Sequence, residues 1–163
     1  MRLRADSDAA AIRRFPAHYR PWRDALFWLA VLAAPVFWAG LELLTHPTVD
    51  PYWPLHEPRR FALVALAYPV LEEIVFRGML QEWLRERWPN FGPTAGITGA
   101  NLLTSAIFSA AHGLAHPLPW ALATFMPSLV FGYFKDKSGT LSQSIVLHIF
   151  YNAGYFLIFW NPH

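Results

Sequence analysis

The chain has 163 residues, enough for one compact unit and too few for two ordinary domains. Apolar residues make up 55%, aromatic residues 17% and charged residues 15%, a balance that excludes disordered and fibrous chains. The net charge of +2 gives no argument for nucleic acid, and with no cysteine, disulfides, thiolate metal sites and a cysteine nucleophile all drop out.

Charged residues are absent from 25 to 41, from Trp88 to Phe134 and from Ser138 to His163. A soluble fold of this size cannot hide so much, whereas a bilayer crossing needs about 20 apolar residues. The pattern predicts an all-α, polytopic transmembrane bundle of about five helices, an integral multi-pass protein with the lipid bilayer as its surroundings. Residues 1–23 read as a polar, basic cytoplasmic N-terminus, because Arg2, Arg4, Arg13, Arg14, Arg20 and Arg23 all precede the first apolar stretch. That stretch lacks a small-x-small cleavage site and is expected to stay attached as a signal anchor. Residues 24–163 then form a single membrane domain.

The first predicted span runs from 24 to about 44, followed by a loop dense in proline. A second apolar stretch starts at Phe61 and ends near Gln81 in the charged run QEWLRER. Further spans are predicted within 94–116, about 118–134 and about 140–160. Five crossings with the N-terminus inside put Arg85, Arg87, Lys135 and Lys137 on the inner side and only Arg59 and Arg60 outside. In the third segment Gly96, Ala100 and Thr104, and likewise Ser105, Ser109 and Gly113, recur every four residues, the spacing of close helix packing.

Glu72, Glu73 and Arg77 interrupt the second stretch, at about 2.5–3.5 kcal/mol each near the bilayer centre. Such groups must turn toward protein or water and pair, or reach an interface. Glu73 and Arg77 are i and i+4 with the acid first, the favourable order for an ion pair along one helix. On spacing alone, the two charges should be exchangeable in part. Glu72 is turned about 100° away, on the face of Pro69, Phe76 and Met79, with no partner on its own helix. A desolvated lone carboxyl is a candidate general base or acid.

Two further polar pairs follow. Phe108 and His112 are i and i+4 in the third segment, and His148 and Asn152 are i and i+4 in the fifth, sharing a face. His116 stands four residues after His112, a spacing open to a metal, but beside Pro117 at a helix end it reads as a cap or loop residue. A Gly-x-Ser-x-Gly nucleophile is missing, His56-Glu57 is followed by Pro58 rather than a zinc motif, and Asp24, Asp50 and Asp136 fall in loops or at edges. The glutamate and histidine set remains.

Glu72-Glu73-x-x-x-Arg77, Phe108-x-x-x-His112 and His148-x-x-x-Asn152, in that order on successive helices, resemble the three-motif signature of the CAAX protease and bacteriocin-processing family, which includes the type II CAAX prenyl endopeptidases. The resemblance covers about 61–156 and includes the run FGYFKDKSGTLSQSIVLH. It implies an intramembrane endopeptidase of the glutamic type acting on a membrane-associated protein or peptide; because no zinc motif is complete, no metal and no cofactor are expected. Glu72 would activate the attacking water with help from His112, His148 and Asn152 would stabilise the oxyanion, and Glu73, Arg77 and Phe108 would support them. The chain has about one helix beyond the family's four-helix core, which argues against a CAAX substrate. A bacterial inner-membrane sorting system for C-terminally tagged proteins, of the JDVT-CTERM sort, and bacteriocin maturation or immunity are the alternatives that the resemblance leaves. A zinc-dependent variant of the same protease is a further alternative within it, and outside it stand a non-enzymatic scaffold or immunity protein and a small proton-coupled transporter.

Counted along straight helices, Glu72 and His148 come to similar depths and His112 does not. Residues 92–101 are therefore predicted to be tilted or irregular, with an effective helix start near Leu102, so that Glu72, His112, His148 and Asn152 can line one water-accessible cavity.

Overall fold

The computed structural model describes residues 19–45, 50–89 and 96–159. Arg2, Arg4, Arg13 and Arg14 of the expected N-terminal anchor lie outside these residues, as do Gly92 and Pro93 of the stretch expected to be irregular. Among the described residues the regular structure is helical throughout, with no strand.

A 3₁₀ turn, Pro21–Arg23, leads into α1, Ala25–Thr45. Asp24 starts the helix: its Oδ1 accepts from Leu26 N at 3.0 Å, satisfying one of the free N–H groups of the first turn. At 1.5 Å per residue α1 is about 32 Å long, the thickness of a hydrocarbon core. Among the described residues it is the one helix long and apolar enough to cross a membrane, with mean hydropathy 1.8 and 22% of its most apolar window buried. Its inner stripe, Phe27, Ala30, Ala34 and Trp38, repeats every three or four residues, while Leu29, Leu32, Val36 and Phe37 point outward. The stripe packs on the last helix, where Tyr151 Oη donates to Ala30 O at 2.7 Å.

After the short helix α2, Trp53–His56, the chain enters α3, one continuous helix over 58–87. Two π-helical stretches, Leu63–Ala67 and Ile74–Gln81, divide it into the α-helical pieces Pro58–Ala62, Tyr68–Glu73 and Glu82–Arg87. The expected end near Gln81 is therefore overrun by six residues: the charged run continues the helix as ion-paired surface, with Glu82 holding both Arg85 and Lys135.

α4 is Gly99–His112, opened by Thr98, whose Oγ1 accepts from Asn101 N at 3.1 Å. Gly96, at φ +88°, supplies the left-handed residue that turns the chain into it. The helix begins three residues before the expected start at Leu102 and ends on His112. The single span expected over 118–134 is two helices, α5, Leu118–Ala123, and α6, Phe125–Ser138, meeting at Thr124. Proline explains the break: Pro127 has no N–H to give Ala123 O, and Thr124, at the junction, turns its Oγ1 back onto Ala121 O at 2.7 Å. Gly139, at φ +71°, caps α6 and donates to Lys135 O at 2.9 Å. α7 is Ser142–Phe159.

α6 lies between α4 and α7, and α7 in turn touches α1 and the first half of α3. The interior is polar where these helices meet. Main-chain carbonyls of α6 accept from other helices: Leu129 O from Asn101 Nδ2 at 2.9 Å, and Gly132 O from Gln81 Nε2 at 3.1 Å. Gly132 leaves room for this, since a Cβ there would stand 1.9 Å from Asn101 Oδ1.

Candidate active site

α3 carries Glu72, Glu73 and Arg77, α4 carries Phe108 and His112, and α7 carries His148 and Asn152. The Glu73 and Arg77 side chains are both fully buried, with Arg77 Nη1 3.4 Å from Glu73 Oε1. His148 Nδ1 is 2.8 Å from the same Glu73 oxygen. With Glu73 ionised against Arg77, the bond runs from Nδ1–H of His148 to the carboxylate. The opposite nitrogen, Nε2, then faces Glu72 Oε2 at 3.5 Å. Glu72 is about a third exposed, at 30% of its side chain, so the imidazole stands between one buried carboxylate and one that reaches solvent. At 3.5 Å the two polar atoms stand at the outer limit of hydrogen-bond distance, so the direct contact is weak.

Phe108 ties the remaining groups to this set. The Arg77 guanidinium lies 4.9 Å from its ring centroid, a cation–π contact inside the protein. Its ring meets Phe76 at 5.0 Å, His112 at 4.4 Å and His148 at 6.0 Å. His112 is partly exposed at the last position of α4, with Nδ1 3.0 Å from Phe108 O, so one ring nitrogen is held by its own helix. His116 stacks on His112 at 6.1 Å and meets Trp120 at 6.3 Å, in the exposed turn that follows α4.

Asn152 is placed differently. Its Nδ2 donates to Val64 O at 3.2 Å, on the first π-helical stretch of α3. In that stretch Tyr68 N–H bonds back to Leu63 O, so the next bond in the series would run from residue 69 to Val64 O. Residue 69 is proline and has no hydrogen to donate. The Asn152 amide supplies the missing donor and joins α7 to α3 two turns ahead of Glu72.

Ser128 and Phe131 of α6 are site neighbours that no motif marks. Arg77 Nη2 donates to Ser128 O at 2.9 Å and to Ser128 Oγ at 2.6 Å. The Phe131 ring stacks on His148 at 4.6 Å with 22° between planes, and lies 5.8 Å from the Arg77 guanidinium. Phe131 opens the run FGYFKDKSGTLSQSIVLH, but in a charge-free stretch a serine and a phenylalanine read as ordinary packing, so the sequence marks neither as a neighbour of Arg77 or His148.

The geometry provides a partly exposed carboxylate, an imidazole whose orientation a buried ion pair fixes, and a second imidazole at a helix end, on three helices. Residues 54–154 match the family model described as type II CAAX prenyl endopeptidase Rce1-like. No curated protein and no solved structure matches the chain. The matched stretch takes in all seven motif residues and leaves out α1. The chain thus belongs to the type II CAAX prenyl endopeptidase Rce1-like family, a family of membrane-embedded proteases.

Proposed function

We propose that the protein is a multi-pass inner-membrane endopeptidase, N-terminus cytoplasmic, that hydrolyses a peptide bond of a membrane-associated protein with a water activated by Glu72. The observation that carries this reading is the His148 imidazole set between buried Glu73 at 2.8 Å and partly exposed Glu72 at 3.5 Å. Glu73 and Arg77 hold His148, and Glu72 takes the proton of a water that attacks the scissile carbonyl. His112 supports that water. His148, through Nε2–H with Nδ1–H kept on Glu73, and Asn152, through the amide hydrogen that Val64 O does not occupy, offer N–H groups to the oxyanion as it forms. Collapse of the tetrahedral intermediate breaks the C–N bond, and the proton taken by Glu72 passes to the leaving amine. No metal enters this scheme.

The test is hydrolysis in ¹⁸O water by the detergent-purified protein mixed with solubilised bacterial membrane proteins. New C-termini labelled with one ¹⁸O, present with wild type and absent with Glu72→Gln, support the proposal. Label that survives Glu72→Gln overturns the role of Glu72, and no label with wild type overturns the protease reading in favour of a scaffold.

A further inference from the structure

Glu73 and Arg77 form a buried pair, yet they are not sufficient to fix each other. A guanidinium presents five N–H groups in a rigid fork, and a single contact at 3.4 Å to Glu73 Oε1 leaves it free to rock. What stops the rocking lies on α6. Ser128 takes both hydrogens of Arg77 Nη2, through its carbonyl at 2.9 Å and its hydroxyl at 2.6 Å, and its side chain is fully buried. The guanidinium face is closed by the Phe108 and Phe131 rings at 4.9 and 5.8 Å. Phe131, 2% exposed, turns the same ring onto His148, nearly parallel at 22°. One helix without a motif residue thus touches both ends of the Arg77, Glu73 and His148 chain. Ser128 and Phe131 are three apart, the spacing that puts two side chains on one helical face.

We propose that Ser128 and Phe131 of α6 are positioning residues for His148: Ser128 locks Arg77, and through it Glu73, so that His148 Nδ1–H has one fixed acceptor, while Phe131 fixes the plane of the imidazole so that Nε2 faces Glu72. This rests on the reading of Glu72 and His148 as the reacting pair, but the arrangement it describes exists without substrate and can be measured without one.

The experiment is solvent exchange of the His148 Nδ1–H proton, read by NMR on ¹⁵N-histidine-labelled full-length protein in detergent, with His148→Gln to assign the signal. Wild type should show a slowly exchanging Nδ1–H. Ser128→Ala should speed that exchange roughly tenfold or more, the scale of one lost hydrogen bond to a charged group, while backbone amide exchange in α4 and α7 stays unchanged. Ser128→Thr, which keeps the hydroxyl, should behave as wild type. Phe131→Leu keeps the core filled and should speed the exchange as well, which tests the proposal even if Ser128→Ala does not accumulate. Wild-type exchange in both Ser128→Ala and Phe131→Leu overturns the proposal, as does acceleration matched by the backbone amides. Absence of hydrolysis with an intact Nδ1–H response would sink the protease reading and leave the positioning roles standing.

Discussion

Glu73 and His148 are 75 positions apart in the chain, and a 2.8 Å hydrogen bond joins them between two helices. That bond gives Glu73 two cationic or N–H partners on one oxygen, Arg77 along its own helix and His148 across the interface. Glu73→Gln therefore removes the counter-charge of a fully buried arginine and weakens the grip on His148 together. The expected cost is about 3–5 kcal/mol, read as a collapse in membrane yield and in Tm in detergent. Exchanging the pair, Glu73→Arg with Arg77→Glu, should not recover it. The new carboxylate would face Ser128 O, an acceptor, and the new guanidinium would face the Nδ1–H of His148.

Glu72→Gln should behave in the opposite way. It faces His148 Nε2 at 3.5 Å and nearly a third of its side chain is exposed, so a neutral isostere keeps the shape. Yield and Tm should match wild type while ¹⁸O incorporation is lost. A Tm drop as large as that of Glu73→Gln would count against Glu72 as the base.

Asn152 should couple to Pro69. Asn152→Ala leaves Val64 O without its donor, at a cost of about 1–3 kcal/mol for an unsatisfied buried group. Pro69→Ala restores a backbone N–H at the position where the π-helical series lacks one. A double-mutant cycle by thermal unfolding should show Pro69→Ala stabilising the Asn152→Ala background more than the wild type. Equal effects in the two backgrounds would break the link.

Gly132→Ala should be among the most damaging alanine substitutions in α6. Its Cβ would lie 1.9 Å from Asn101 Oδ1 and 2.8 Å from Gln81 Oε1, both held in hydrogen bonds to α6 carbonyls. Overpacking of this kind costs about 1–3 kcal/mol, more where two polar side chains must move. Tm in detergent is the measure, with Met126→Ala at an exposed position of the same helix as the mild comparison.

The junction before α1 should carry an acid-sensitive share of stability. Burial alone would raise the Asp24 carboxyl, but hydrogen bonds from Lys137 and Tyr19, each at 2.6 Å, and from Leu26 N outweigh it and hold it below the usual range. A carboxyl lowered in the folded state stabilises fully above its unfolded value of about 4, and that stabilisation is lost as pH falls through the lower folded value. Lys137 acts at the other limit. Burial lowers it, but Asp24 and Tyr133 raise it further, so its share persists below about 10.4 and fades as pH rises through the folded value. Asp24→Asn should lower Tm at pH 7 and flatten its fall below about pH 4.

The sequence made α1 legible almost to the residue, because a charge-free apolar run bounded by Asp24 obeys a rule about solvent rather than about neighbours. The Glu73 and Arg77 pair was legible for a similar reason: i and i+4 on one helix is local geometry. His148 between the two glutamates was not, since which imidazole nitrogen meets which carboxylate depends on how α7 settles against α3. The π-helical stretches shift that register without a distinctive composition, and Pro69 shows its effect only once Asn152 is seen on Val64 O. The break at Thr124 had a visible cause in Pro127, but the apolar run across it looked continuous. Ser128 carried no signal, and Phe131 showed only as the first residue of the run FGYFKDKSGTLSQSIVLH, with nothing to say that it would meet His148.

α4 and α6 each have 14 residues, about 21 Å at 1.5 Å per residue. A hydrocarbon core of about 30 Å is thicker than either. Placed side by side in the proposed bilayer setting, two such short helices leave a slab of lipid that must dimple inward to meet their ends. The dip falls where α4 stops at His112, so headgroups and water would descend toward Glu72, the carboxylate proposed to activate water. A substrate segment could then unwind at that depression without being dragged through dry acyl chains.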